Sequence, residues 1–109
     1  MSFSRACAVS DVASGSALAV NLDGEDIAVV RDGDDFYAIR DECSHASIAL
    51  SEGEVEGCEI ECWLHGSRFD LRTGKPLALP ASEPVPIYPV KVEGDDVLVD
   101  VANPNMEVN

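Results

Sequence analysis

The sequence predicts an all-β domain, mostly antiparallel, with few and short helices. Three observations predict it. Short β-like runs separated by turn residues fill both ends of the chain, no window sustains a long 3.6-residue apolar period, and glycine and proline interrupt the middle. At 109 residues and 46% hydrophobic content, the chain is sized for one domain with a modest core.

Taken in order, the first β-like run carries Cys7. "ALAVNL" then leads through Asp23-Gly24 into "EDIAVVR", a strong hairpin signal. "RDGDD" turns the chain into "FYAIR". Near the far end, "YPVKV" turns through Glu93-Gly94-Asp95-Asp96 into "VLVDV". Between about Asp41 and Ala81 the texture changes to glycine-rich, irregular sequence ("EGEVEGCE", "LHGS", "RTGKP", then "LPASEPVP"). Residues 1–40 and 83–109 are therefore expected to form a sandwich-like base, with residues 41–82 as a loop-built subdomain. Loops on a rigid scaffold are where sites usually sit.

The chain has 21 acidic and 7 basic residues, a formal net charge of -14. That argues against nucleic acid and against an anionic membrane surface as partners, because like charges repel. A basic patch on another protein is the natural complement. The N-terminal "MSFSRACAVSDVASG" has no apolar stretch of signal-peptide length, and no run approaches transmembrane length. A cytoplasmic protein is expected, in which four cysteines point to metal or redox chemistry before disulfides.

The sharpest signal is the placing of both histidines. Cys43 and His45 stand two apart in "DECSHASIAL", and Cys62 and His65 stand three apart in "CWLHGSRFD". Thiolate and neutral imidazole both bind zinc, iron and copper. One reading is a structural zinc ion held by all four, although familiar zinc patterns group Cys with Cys and His with His. The other is a two-iron cluster to which both loops contribute, with Cys43 and Cys62 on one iron and His45 and His65 on the other.

C-x-H, sixteen residues, then C-x-x-H-G resembles the ligand signature of the Rieske [2Fe–2S] family, and the resemblance runs on through "SRFDLRTGKPLALPASEPVPIYPV". The chain looks like the stand-alone Rieske ferredoxins of bacterial non-haem iron dioxygenase systems. It is also similar to Rieske-type proteins found alongside iron–sulfur assembly genes in actinobacteria. The resemblance implies the Rieske fold and one [2Fe–2S] cluster per chain. It implies that the cluster is held at the tip by loops Cys43–Ser47 and Cys62–Ser67, with "LPASEP" as a third covering loop, His45 and His65 nearest solvent, and Gly66 allowing close backbone approach. Proline is common in the family where Trp63 stands here. Trp63 is read as packing on or covering the loop, with a partner contact as the other reading. High-potential members carry a loop disulfide, and the matching positions here are Ile48 and Leu64, so that staple is absent.

With two histidines in all, the chain has none left for a mononuclear iron held by two histidines and a carboxylate, and it lacks a G-x-G-x-x-G fingerprint for flavin or nicotinamide. The resemblance therefore implies an electron-transfer component rather than an enzyme. It would be a monomer passing single electrons from an NAD(P)H-dependent flavin reductase to a terminal non-haem iron oxygenase. Two other readings stand beside it: a redox-sensing or accessory protein of iron–sulfur assembly, and a zinc-stabilised interaction module. Asp41, Glu42, Glu52, Glu54 and Glu56 are either docking acids or solvated ones. Arg68, Arg72 and Lys75 balance the cluster, orient docking or are solvated turn residues. Cys7 and Cys58 are expected to be buried structural thiols. In high-potential members a serine and a tyrosine hydroxyl donate to the cluster and its ligand sulfur. Ser67 looks like the serine, but Phe69 replaces the tyrosine, which predicts a potential near about -150 mV.

Overall fold

The computed structural model describes residues 3–42, 48–63, 66–77, 84–102 and 104. Strand β1 (Ser4–Ala8) ends in a 3-10 turn at Val9–Asp11, and β2 (Ser16–Leu22), β3 (Glu25–Asp32) and β4 (Asp35–Arg40) follow as two successive hairpins. Asp23 (φ 52°) and Gly24 (φ 85°) both take the left-handed backbone that a two-residue hairpin turn needs. A second 3-10 turn at Leu50–Glu52 precedes β5 (Val55–Glu56), β6 (Glu59–Glu61) and β7 (Arg68–Asp70), and β8 (Ile87–Tyr88), β9 (Val90–Glu93) and β10 (Asp96–Val99) complete the order. Every pairing is antiparallel. Among the described residues there is no α-helix.

The strands form three sheets, ordered β1-β10-β9, β2-β3-β4-β8 and β5-β6-β7. β3 explains how they stack. Its run Ile27-Ala28-Val29-Val30 is buried on both faces, and the period of two sends alternate side chains to opposite sides. Ile27 and Val29 join a core with Cys7, Val12, Ala38, Tyr88, Val97 and Val99. Ala28 and Val30 join a second core with Ile39, Leu50, Ile60, Cys62, Phe69, Leu71 and Val85. The four-stranded sheet is thus the middle layer, with β1-β10-β9 against one face and β5-β6-β7 against the other.

The glycine-rich middle of the chain carries the sheet β5-β6-β7 between its loops. Its strands are two or three residues long, below the length at which alternation can be read. Cys58 also departs from expectation. It lies in the β5–β6 turn and is partly exposed rather than buried, whereas Cys7 is buried at 4% exposure. Burial pushes the Cys7 thiol pKa up.

Candidate metal centre

The loop expected to carry the second pair of ligands starts from the end of β6. Ile60 and Cys62 alternate inward and are fully buried, while Glu59 and Glu61, which alternate with them, point to the opposite face. There Arg68 of β7 donates to both, Nε to Glu59 Oε1 at 2.9 Å and Nη1 to Glu61 Oε2 at 3.0 Å. Arg68 is therefore a cross-strand tie rather than a free cation. Arg72 likewise pairs with Asp70 at 3.3 Å. Beyond Cys62 the chain closes on itself. The Cys62 N–H donates to the Ser67 carbonyl at 2.6 Å, and the Gly66 N–H donates to the Cys62 carbonyl at 2.9 Å. Gly66 holds φ at 76°, and among the described residues beyond its chain neighbours no atom lies within 4 Å of where a Cβ would stand. Its backbone conformation is thus sufficient reason for glycine here. Ser67 and Phe69 are both fully buried, and Trp63, beside Cys62, is 51% exposed rather than packed away.

The first loop leaves β4 at Asp41. Its backbone N–H donates to the Asp26 carbonyl at 2.9 Å, and its carboxylate turns inward to Ser51. Of the acids grouped as docking or solvated, Asp41 is therefore neither, whereas Glu42, Glu52, Glu54 and Glu56 are exposed. Gly53 follows, and a Cβ there would collide with the carbonyl of Glu61, the residue before Cys62. Only glycine lets the two loop stems pack so closely.

Cys58 makes its own contacts. Its thiol donates to Asp32 Oδ2 at 3.8 Å and accepts from the Tyr37 hydroxyl at 3.4 Å. That hydrogen bond first, and burial second, push the Tyr37 pKa up to about 12.

Of the four expected ligands, Cys62 lies within the described residues. Cys43, His45 and His65 lie outside them, as do residues 44, 46 and 47 of the first loop and most of "LPASEP". Among the described residues no three His, Cys, Asp or Glu side chains gather to hold a metal ion. What is placed fits a cluster. Cys62 offers a thiol shielded from water at the root of a closed loop, with buried Ser67 beside it. The remaining donors by sequence are one thiol and two imidazoles, a set that suits Rieske iron.

A small antiparallel β domain presenting a buried cysteine on a closed, glycine-turned loop has the form of a metal-cluster carrier, and comparison with known proteins says which kind. The Rieske [2Fe-2S] domain model matches residues 2–89, so the chain belongs to the Rieske family and its cofactor is a Rieske-type [2Fe–2S] cluster. It is 43% identical over 101 residues to the biphenyl dioxygenase ferredoxin subunit of Pseudomonas sp. (strain KKS102), covering 92% of this chain and 93% of that one. The ferredoxin of carbazole 1,9a-dioxygenase from Nocardioides aromaticivorans IC177 superposes with a TM-score of 0.86 at 44% identity, covering 91% and 97%. A chain from the complex of reduced oxygenase and oxidized ferredoxin in carbazole 1,9a-dioxygenase also matches, with a TM-score of 0.86 at 36% identity, covering 98% and 97%.

Proposed function

We propose that this chain is the ferredoxin component of an aromatic-ring dioxygenase system. It takes single electrons from an NAD(P)H-dependent flavin reductase and delivers them to a terminal non-haem iron oxygenase. The observation that carries the reading is the near end-to-end match to stand-alone ferredoxin components of such systems, 92% of this chain against 93% of the biphenyl relative. Cys43 and Cys62 hold one iron and His45 and His65 the other, within a cluster-binding subdomain at residues 41–82 set into a base of residues 1–40 and 83–109. When bound, the [2Fe–2S] cluster supplies one-electron redox chemistry. The chain's own residues seat it. The Cys62–Ser67 and Gly66–Cys62 hydrogen bonds fix the second loop, and burial of Cys62 excludes water from its sulfur. No helix among the described residues is long and apolar enough to cross a membrane. A monomer working in the cytoplasm suits the reading.

The test is reconstitution. The purified protein should contain two irons, show the Rieske electron paramagnetic resonance signal when reduced, and restore product formation to a ring-hydroxylating oxygenase supplied with reductase and NADH. His45→Ala or His65→Ala should abolish the Rieske signal, and Cys43→Ser or Cys62→Ser should prevent assembly. A protein that binds stoichiometric zinc without iron after anaerobic preparation overturns the reading. One that carries the cluster yet fails to reduce any such oxygenase returns it to iron–sulfur assembly.

A further inference from the structure

The first ligand loop leaves the middle sheet at Asp41 and rejoins the core at Leu50, beside Ser51, and it contains both Cys43 and His45. Two ligands carried on one loop are presented reproducibly only when the ends of that loop are fixed. Asp41 fixes one end by donating its N–H to the Asp26 carbonyl at 2.9 Å, which continues the β3–β4 register one step past the Ile27–Arg40 pair. Its side chain reaches the other end. Oδ1 accepts the Ser51 N–H at 2.6 Å, and Oδ2 accepts the Ser51 hydroxyl at 2.7 Å, both partly buried. Ser51 in turn sits in the 3-10 turn whose Leu50 is fully buried in the same core as Cys62. Two short bonds from one carboxylate to one residue fix both distance and orientation.

We propose that Asp41 and Ser51 form a clamp that positions the first ligand loop against the second, so that the geometry of the iron site depends on this pair although neither residue is a ligand. The proposal rests on the assignment of Cys43 and His45 as ligands. A pair serving ordinary stability alone would lower the melting temperature without touching the iron. A clamp changes how uniformly the ligands are held and how fast iron escapes.

The experiment compares holoproteins carrying Asp41→Ala, Asp41→Asn and Ser51→Ala. Alanine at 41 removes both bonds. Asparagine keeps the shape, since its amide oxygen accepts the Ser51 N–H and its amide nitrogen donates to the Ser51 hydroxyl, which reverses role. Ser51→Ala removes one bond and keeps the backbone N–H. Iron loss to a chelator should accelerate by about tenfold or more in Asp41→Ala, less in Ser51→Ala, and within about threefold of wild type in Asp41→Asn. The resonance lines of the reduced cluster should broaden in the same order. If Asp41→Ala does not fold, Ser51→Ala and Asp41→Asn carry the same comparison. Wild-type line widths and iron-loss rates in Ser51→Ala and Asp41→Ala overturn the clamp even if their melting temperatures fall, as does Asp41→Asn behaving like Asp41→Ala. Absence of a Rieske signal from the unmutated protein is a different failure, that of the ligand assignment, and it is visible before any variant is made.

Discussion

Ser67 and Phe69 flank Arg68, and both are fully buried, with Phe69 in the same apolar core as Cys62, the proposed ligand. Their chemistry bears on the reduction potential in opposite ways. Reduction adds negative charge, which a hydroxyl donor stabilises and a phenyl ring does not. A single donor that favours the reduced state by about 1 kcal/mol raises a one-electron potential by about 40 mV. With the serine present, the aromatic hydroxyl missing, no loop disulfide and a net charge of -14, the wild-type midpoint is expected low in the Rieske range, near about -150 mV. Phe69→Tyr should raise it by roughly that 40 mV if the new hydroxyl reaches a cysteine sulfur. If it finds no partner, burial of an unpaired hydroxyl lowers the melting temperature and leaves the midpoint alone. Ser67→Ala should lower the midpoint. Protein-film voltammetry checks all three, and a wild-type value well above zero at neutral pH shows the ranking to be wrong.

At the scale of elements, one chain of contacts ties the middle sheet to the small one. Tyr37 on β4 donates to Cys58 in the β5–β6 turn, and Cys58 donates to Asp32 at the end of β3. The phenol must keep its proton to donate, which is why its pKa rises to about 12 from an ordinary value of about 10. A raised pKa means that the folded state favours the protonated form. The stabilisation is whole below about pH 10 and is lost as pH climbs through about 12. Denaturant midpoints of wild type and Tyr37→Phe should therefore differ by a constant amount at neutral pH and converge between about pH 10 and 12. A gap that persists unchanged across that window removes the phenol from the account. This link was not legible in the sequence, because Cys58 falls in a turn and its partners lie 21 and 26 residues away. The hairpins β2–β3 and β3–β4 were legible, since Asp23-Gly24 and "RDGDD" name their turns and the strands are six to eight residues long. The sheet β5-β6-β7 was not, and neither was the inward carboxylate of Asp41. Ligand spacing is written locally in the chain, but what an acid on a loop stem touches is decided by tertiary packing.

For the whole molecule, the surface combines a long-range and a short-range feature. Glu42, Glu52, Glu54 and Glu56 are exposed, and of the cations after the second loop Arg68 is tied to Glu59 and Glu61 and Arg72 to Asp70. Half-exposed Trp63 adjoins Cys62 in the chain. Charges act at a distance and raise the encounter rate with a basic partner, whereas an aromatic side chain contributes only once water is expelled around it. Salt separates the two. With the Debye length falling from about 30 Å at 0.01 M to about 10 Å at 0.1 M, the second-order rate of oxygenase reduction should drop by roughly tenfold or more as ionic strength rises. The triple variant Glu52→Gln, Glu54→Gln, Glu56→Gln should start slower and show a shallower dependence on salt. Trp63→Ala should weaken docking by a similar factor at every salt concentration, leaving the slope intact. Stopped-flow reduction of the oxygenase by prereduced protein measures both quantities in one series. A salt-independent rate in wild type would mean that the -14 charge serves solubility rather than encounter, and an unchanged rate in Trp63→Ala would place the contact surface away from the second loop's flank.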